Sequence, residues 1–257
     1  MFEGKGRPLS GAGLRQAGMA LGVDLPPLWA VMTVETRGCG FLADRRPLIL
    51  FERHWFSKLT DRKFDEVAPD LSNLTAGGYG KTGAFQHERL ERAIGLNRRA
   101  ALESTSWGLG QVMGFNAAAV GFTDVEAMVN ATCESEDLQF QAMIKFIEAN
   151  GLATHLKTGD WVSFARLYNG PEFQRNMYDK KLAMAHARFT VGPLPDLRVR
   201  AAQLYLSFLG LDPSGVDGWF GEKTQKMIVA FQASKDMPRT GRLDDATFSA
   251  LEAAAMS

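Results

Sequence analysis

The sequence predicts a mainly helical protein of two domains, and two observations carry that prediction. Helical patterns recur through most of the chain, whereas one stretch, PLILFERHWF at 47–56, is rich enough in Ile, Leu and Phe to predict a strand. The segment VGPLPD at 191–196 interrupts the helical pattern with two prolines and a glycine. We therefore expect one domain over residues 1–192 and a second over 196–257, since 257 residues suffice for one or two domains of roughly 100–200 residues.

The elements follow in order from local signals. Pro26 and Pro27 favour the first turn of a helix. Gly38 and Gly40 end that helix. Residues 60–83 carry the Asp, Ser, Asn, Gly and Thr that are typical of loops or a small irregular sheet. Beyond them the pattern predicts helices over 85–103, 111–119, 123–130, 134–149, 160–168 and 171–188.

The tail, residues 196–257, contains a weak internal repeat. Residues 218–224 align with 241–247: each has Gly, an apolar residue two positions later and Thr four positions after that. Each copy continues into a helical pattern with an apolar residue four positions beyond the Thr. The repeat predicts two turn-then-helix units that share one apolar core.

Composition excludes several classes of function. The 29 Lys and Arg balance 29 Asp and Glu, which argues against nucleic acid as the main partner. No apolar run approaches the ~20 residues of a membrane span, and the first residues lack the apolar region of a signal peptide. We expect a chain that is made in the cytoplasm and stays there unless another system exports it.

Cysteine and histidine argue against metal chemistry. Two cysteines, Cys39 and Cys133, exclude a disulfide-rich scaffold, and two reduced thiols are favoured over a disulfide between them. The four histidines are scattered without an HExxH pattern, so each is expected at the surface or at the edge of a cleft. We expect neither a metal nor an organic cofactor.

Glu35 is the first candidate for chemistry because it lies on an apolar helix face. It follows Leu28, Val31 and Met32 at helical spacing. Loss of solvation there would raise its pKa, and a protonated carboxyl can act as the general acid of glycoside cleavage. The alternative is a Glu that reaches solvent or pairs with Arg37 or Arg45.

Three segments in order resemble the lysozyme-like superfamily, which includes goose-type lysozymes and soluble lytic transglycosylases. They are Val34-Glu35-Thr36, the Gly-rich SWGLGQVM at 106–113 and ARLYNG at 165–170. Over about residues 10–190 the chain also looks like the N-acetylmuramidase domain of phage endolysins, through ET-RGCGF, PLILFERHWF, SWGLGQVMGFN, DW-VSFARLYNGP and N-MYDKKLAMA. The resemblance implies a lysozyme-like α+β domain with a small β region.

The resemblance implies roles for individual residues. Glu35 carries over as the catalytic acid, and Tyr168 and Asn169 carry over as cleft residues. Ser106 and Gln111 are expected in the cleft wall. Trp107 is either a surface on which a sugar ring stacks or a core residue, and we include it among the substrate-binding candidates.

A second carboxylate is expected at Glu52, in the predicted strand. It would serve as nucleophile or charge stabiliser in retaining cleavage, or would activate water in inverting cleavage. An ion pair with Arg53 or Arg46 is the alternative. Further candidates are Asp44, Asp61, Asp65, Asp70 and Glu103.

The tail resembles the small helical peptidoglycan-binding domain of cell-wall hydrolases, and three helices are expected. The resemblance rests on VRAAQLYL, the core VDGWFGEKT at 216–224, VAFQ and Thr240-Gly241. The wall-binding residues that it implies are Asp217, Gly218, Phe220, Thr224, Phe231 and Gln232.

Together the two resemblances imply a monomeric phage endolysin that hydrolyses the bond between N-acetylmuramic acid and N-acetylglucosamine in peptidoglycan. Such a protein waits in the host cytoplasm until a holin-type protein releases it to the periplasmic cell wall. One alternative is a lytic transglycosylase that forms anhydro-muramic ends. Others are a wall-binding phage structural protein without activity and, third, a zinc amidase.

Overall fold

The computed structural model of the protein describes residues 1–36 and 38–257. Within them the chain is mainly helical with one small sheet, as the sequence predicts. In chain order the helices and strands are α1 (Gly11–Leu21), α2 (Leu25–Thr36), β1 (Ile49–Phe51), α3 (Arg53–Leu59), α4 (Ala84–Leu96), α5 (Arg98–Glu103), β2 (Thr105–Trp107), β3 (Val112–Met113), α6 (Val125–Glu134), α7 (Glu136–Ala149), α8 (Ala153–Thr158), α9 (Trp161–Asn169), α10 (Tyr178–Val191), α11 (Leu197–Phe208), α12 (Glu222–Ser234) and α13 (Asp245–Met256). Two short 3-10 helices cover Gly114–Asn116 and Pro171–Asn176.

Short polar side chains mark where many of the helices begin. Each of these side chains accepts a backbone N–H from the first turn of its helix, a donor that the helix itself leaves unpaired. The capping residues are Ser10, Asn97, Asp124, Ser135, Asp160, Asp196 and Asp244. Local sequence therefore sets the start of most helices that the fold needs.

Helix α2 lies at the centre of the first domain. Its residues 28–32 are at most 2% exposed, and α1 and α10 pack against it. The helix predicted from Pro26 and Pro27 is confirmed, and Gly38 follows it in the left-handed region at φ 84°. Because α2 runs through the core, its last turn brings Glu35 from the apolar interior to the edge of the domain.

The sheet is antiparallel in the order β1-β2-β3, with Leu50 opposite Ser106 and Ser106 opposite Met113. The predicted strand over 47–56 is only partly right, because the chain turns into α3 at Arg53. Strand β1 and helix α3 thus divide the stretch that the sequence predicts as one strand. Residues 60–83 form turns, as predicted.

The helix predicted over 111–119 is wrong. Gly108 at φ 66° and Gln111 at φ 48° turn the chain between β2 and β3. At Gly110 a Cβ would lie 2.5 Å from the Cβ of Met143 on α7, so the turn is pressed against that helix. A contact between segments more than 30 residues apart decides this local structure, and the helical pattern does not contain it.

Other predicted helices differ at their ends. The 85–103 prediction divides into α4 and α5 at Asn97, and the 171–188 prediction becomes a 3-10 helix followed by α10. The predictions over 123–130, 134–149 and 160–168 are confirmed as α6, α7 and α9. The expectation of exposed histidines is wrong for His87, which is 1% exposed and bonds to the carbonyl of Pro47. Cys39 and Cys133 are both free thiols.

The tail folds as three helices, α11 to α13, around its own apolar core, as predicted. The first unit of its internal repeat is held by Gln203, which is 2% exposed. Gln203 Oε1 accepts the backbone N–H of Gly218 at 2.8 Å, and its Nε2 donates to Thr224 Oγ1 at 3.1 Å. The glutamine thereby fixes the turn and the start of α12 together.

The second unit repeats this arrangement with Gln232. Its Oε1 accepts the backbone N–H of Gly241 at 2.9 Å, and its Nε2 donates to Thr247 Oγ1 at 3.0 Å. The repeat is therefore structural: each Gly-to-Thr segment is pinned by one buried glutamine.

No single helix in the described residues is long and apolar enough to cross a membrane. Helices α1 and α2 reach the length and apolar composition of a membrane span only when counted together, and the chain bends by 110° between them.

Candidate functional site

Glu35 lies in the last turn of α2, where its side chain is only partly exposed. Burial raises the pKa of its carboxyl from the ordinary 4.5 to about 7, because the surrounding protein disfavours the charged form. Asn169 Nδ2, at the end of α9, donates to Glu35 Oε1 at 3.0 Å and offsets part of that rise. The carboxyl is therefore about half protonated near neutral pH.

Asn169 brings a second polar atom to the same place. Its Oδ1 is buried and accepts no hydrogen bond from the described residues. A buried acceptor without a donor is costly in a folded protein. The amide thus touches the carboxyl with one end and leaves the other end available to a donor from a bound molecule.

Two tyrosines lie close to Glu35. Tyr168 stacks on Phe164 with ring centroids 5.3 Å apart, and its hydroxyl donates to the carbonyl of Gly110 at 2.7 Å. Tyr178 begins α10. Burial, and next the charge of Glu35, raise the pKa of both phenols. Tyr178 lies in the NMYDKKLAMA segment, which carries part of the resemblance to the N-acetylmuramidase domain, but no spacing pattern identifies it as a site residue.

Glu52 lies at the junction between β1 and α3. Tyr79 donates its hydroxyl to Glu52 Oε1 at 3.1 Å. Glu52 Oε2 lies 3.1 Å from Nδ1 of His54, but the two atoms lack the angle of a hydrogen bond and neither has another partner among the described residues. Burial raises the pKa of Glu52, while the Tyr79 bond and the charge of Arg89 lower it.

The alternative of an ion pair for Glu52 is wrong. Arg46 binds Asp44 at 2.6 Å, and Arg53 Nε donates to the carbonyl of Thr75. Burial, together with Lys58 and Arg53, lowers the pKa of His54, which disfavours the charged imidazole. Within residues 1–36 and 38–257, no lysine or arginine forms an ion pair with Glu52.

The tyrosines connect the two carboxyls. The charge of Glu35 acts on Tyr178, Tyr178 acts on Tyr79, and Tyr79 bonds to Glu52. The surroundings of the two carboxyls are thus related through Tyr178 and Tyr79. Sequence reasoning missed Tyr79 because it lies in a loop without any pattern.

Ser106 and Gln111 come together in the β2–β3 hairpin. Ser106 Oγ donates to Gln111 Oε1 at 2.9 Å, and Gln111 Nε2 donates to the carbonyl of Gly108 at 2.9 Å. Ser106 is 6% exposed, whereas Gln111 is partly exposed. These bonds brace the hairpin, and Gln111 is the member of the pair that reaches the surface.

The expectation that Trp107 presents a surface to a sugar is wrong. Side chains alternate along a strand, so Trp107 points away from the face of its neighbour Ser106. It is 2% exposed, and its Nε1 donates to the carbonyl of Leu102 at 3.1 Å. An aromatic pair at the surface is instead formed by Trp55 and Phe115, whose ring centroids are 4.7 Å apart.

Most other candidate carboxylates are occupied elsewhere. Asp44, Asp70 and Glu103 bind Arg46, Arg92 and Arg99, and Asp65 accepts the hydroxyl of Ser72. Arg45 donates to the carbonyl of Ala255 in the tail. Arg37, the other cation considered for Glu35, lies outside the described residues. Within the described residues, no group of three or more His, Cys, Asp and Glu is placed to hold a metal ion.

The residues expected to bind the wall divide into two groups. Asp217 is exposed and Phe220 is 45% exposed. The others lie inside the tail as turn, core or pinning residues: Gly218, Thr224, Phe231 and Gln232. For these four the expectation of direct wall contact is wrong, because the fold uses their side chains or backbone itself.

Comparison with known proteins gives three positive findings. Residues 24–190 match the family model for N-acetylmuramidase, and residues 196–251 match that for a putative peptidoglycan binding domain. A crystal structure of the Burkholderia AP3 phage endolysin is 40% identical in sequence with a TM-score of 0.65. The match covers 72% of this chain and 71% of that one. No curated protein matches the chain.

Proposed function

The chain belongs to the N-acetylmuramidase family, and on that premise we propose that Glu35 is the acid of its glycan cleavage. The enzyme cleaves the bond between N-acetylmuramic acid and N-acetylglucosamine in peptidoglycan. A pKa of about 7 lets Glu35 hold a proton at neutral pH and give it to the glycosidic oxygen as the bond breaks. The observation that carries the proposal is the position of Glu35, in the last turn of a helix that runs through the core and with its carboxyl bonded by Asn169.

Asn169 is proposed to hold both the acid and the substrate. Its Nδ2 fixes the direction of the Glu35 carboxyl. Its buried Oδ1, which accepts no bond from the residues that the structure describes, would accept a hydroxyl or acetamido N–H from a sugar. Tyr168 and Gln111 would border the same region, the first through its contact with Gly110 and the second through its partly exposed amide.

Glu52 is proposed as the second carboxylate of a hydrolase. Its Oε2 accepts no hydrogen bond in the part of the chain that the structure describes, and Tyr79 donates to the other oxygen. Either hydrolytic course needs such a group near the sugar, whereas a lytic transglycosylase can work with one acid/base carboxylate. On this proposal Glu52, which is only partly exposed, lies near the same sugar as Glu35, and a second carboxyl there favours hydrolysis.

Identification of the sugar ends released from purified peptidoglycan tests this proposal. Mass spectrometry should find reducing muramic acid ends with the wild-type protein. Anhydro-muramic ends would instead establish a transglycosylase, and intact glycan that still binds the protein would leave only a wall-binding role. A Glu52→Gln variant should release fewer ends of the same kind, and unchanged release would remove Glu52 from the mechanism.

The tail is proposed to bind the wall through the exposed side of its first turn. Asp217 and Phe220 lie there, beside the partly exposed Trp219. Anchoring would raise the local concentration of substrate around the first domain. Neither part of the chain has a basic excess larger than one charge: the tail has seven Lys and Arg against eight Asp and Glu, and the rest has 22 against 21. Wall affinity therefore rests on specific contacts more than on general attraction to an anionic envelope.

A place in phage lysis is also proposed, supported by the similarity to the Burkholderia AP3 phage endolysin. In that role the protein is a monomer that is held in the host cytoplasm and reaches the periplasmic wall after a holin-type protein opens the membrane. Expression in a bacterial host should cause lysis only when a holin is expressed with it. Lysis without a holin would contradict this part of the proposal.

A further inference from the structure

The peptidoglycan-binding domain reaches into the first domain at the segment that follows Glu35. We propose that Arg200 in this domain is a positioning residue for glycan cleavage, because it holds residues 38–40 behind the catalytic helix. The inference rests on the proposed role of Glu35. The tail would then support the end of α2 in addition to anchoring the protein to the wall.

Arg200 projects from α11 of the tail and is 1% exposed. Its Nη1 and Nη2 bind the two oxygens of Glu136, the first residue of α7, at 2.5 and 2.7 Å. Its Nε donates to the carbonyl of Gly38 at 2.8 Å, and Nη2 also contacts that carbonyl. One guanidinium therefore joins the tail to a helix and to a loop of the first domain.

Glu136 extends this hold to two further backbone groups. Its Oε1 accepts the N–H of Gly40 at 2.8 Å, and its Oε2 accepts the N–H of Leu9 at 2.8 Å. The carboxylate is fully buried and receives four donors, which is about its full accepting capacity. The ion pair thus fixes the 38–40 segment at both ends, through the Gly38 carbonyl and the Gly40 amide.

This segment is bonded directly to the end of α2. The N–H of Gly38 donates to the carbonyl of Met32 at 3.2 Å, and the N–H of Cys39 donates to that of Thr36 at 3.3 Å. Thr36 Oγ1 in turn contacts the carbonyl of Leu109 at 3.2 Å, in the hairpin. Displacement of Gly38 would therefore move the last turn of α2, which carries Glu35.

Apolar contacts surround the ion pair. Phe41, Leu204 and Val216 form a small buried cluster between the two domains, each at most 7% exposed. A Cβ on Gly38 would lie 3.3 Å from the carbonyl of Val216, so the tail packs against the segment itself. A flexible tether would show none of these contacts.

The test measures glycan cleavage apart from wall binding. Soluble glycan strands stripped of peptide are supplied at saturating concentration, so that anchoring gives no advantage and kcat reports the cleavage step. Arg200→Met should lower kcat about tenfold and lower the melting temperature. Arg198→Met is the matched control, since Arg198 is on the same helix and its described contacts, an ion pair with exposed Asp245 and the ring of Phe248, lie inside the tail. This variant should leave kcat unchanged.

The double variant Arg200→Met, Glu136→Gln separates positioning from stability. It removes the unpaired buried charge, so the melting temperature should recover, but the Gly38 carbonyl still lacks its donors and kcat should stay about tenfold low. The alkaline limb of its pH profile should also shift to lower pH than in the wild type, because a displaced Glu35 becomes better solvated and its pKa falls. Arg200→Lys keeps the cation without the planar fork and should give an intermediate kcat.

Recovery of both kcat and melting temperature in the double variant would overturn the inference, as would wild-type kcat and pH profile in Arg200→Met. In either case an active wild type and an inactive Glu35→Gln variant would leave the proposed function standing. Wild-type protein that releases no sugar would instead overturn the proposed function and this inference with it.

Discussion

Two carboxyls of the first domain, the partly exposed Glu35 and the buried Glu136, are bonded in opposite ways. Glu35 lies in the last turn of its helix, where the macrodipole disfavours negative charge, and Asn169 is its one hydrogen-bond donor among the described residues. Glu136 lies in the first turn of α7 and accepts four donors, two of them from Arg200. Among the described residues, the fold thus gives Glu136 four donors and leaves Glu35, the proposed acid, with one.

Replacement of glutamate by glutamine should have opposite effects at the two positions, lowering activity at Glu35 and stability at Glu136. Glu35→Gln removes the proposed acid, and we expect glycan cleavage to fall by about 10²–10⁴-fold, the usual contribution of a general acid. Because an amide avoids burying a charge, the melting temperature should stay the same or rise. Assays of reducing ends and calorimetry check the two expectations, and sacculus binding should be retained as the control. Residual activity near that of the wild type would show that Glu35 is not the acid.

Glu136→Gln should act mainly on stability. It leaves the Arg200 cation buried without its counter-charge, a defect that costs about 3–5 kcal/mol in buried pairs. Denaturant unfolding measures the loss directly. A destabilisation below about 1 kcal/mol would mean that the ion pair is solvated in solution, which would weaken the contrast with Glu35.

The pH dependence of Glu35 should appear in stability and activity together. A carboxyl whose pKa is raised from 4.5 to about 7 on folding binds more protons in the folded state than in the unfolded state. Its contribution to the free energy of unfolding is therefore fully present below pH 4.5 and is lost as the pH rises to about 7. The upper bound of the fall is about 3 kcal/mol, at 1.36 kcal/mol per pH unit. Activity should decline above about pH 7 as the acid loses its proton. Glu35→Gln should flatten the stability slope, and an unchanged slope would place the titration elsewhere.

Asn169→Ala should produce a smaller effect on the same carboxyl. Loss of the donor raises the pKa of Glu35 further, so the alkaline limb of activity should move upward. Loss of the proposed sugar contact should lower kcat/KM about tenfold, as expected for one hydrogen bond of about 1.4 kcal/mol. A downward shift of the limb would show that Asn169 does not bond to Glu35 in solution.

The smallest effect is expected in the tail, where exposed and buried residues also contrast. Phe220→Ala should weaken sacculus binding about fivefold, roughly 1 kcal/mol, with little change in stability. Gln232→Ala should instead destabilise the tail, since Gln232 pins Gly241 and Thr247. Equal losses of sacculus binding and of stability in both variants would contradict the assignment of Phe220 to wall contact and of Gln232 to the fold of the tail.

Sequence reasoning reached the features that depend on local pattern. Helical spacing placed Glu35 at the end of α2, and the repeat around Gly218 and Gly241 predicted the turn-then-helix units. It could not find Arg200 and Glu136, because residues 64 apart in the chain meet only in the folded protein. The helix predicted over 111–119 is wrong for the same reason, because a contact with α7 shapes the hairpin at Gly108.

The most direct measurement is a carboxyl ¹³C NMR titration of wild-type protein, with Glu35→Gln used to assign the Glu35 signal. The account predicts that this carboxyl titrates with a pKa of about 7. A Glu35 signal that titrates near 4.5 would contradict it, because the group would then be an ordinary solvated carboxylate with no proton to give at neutral pH.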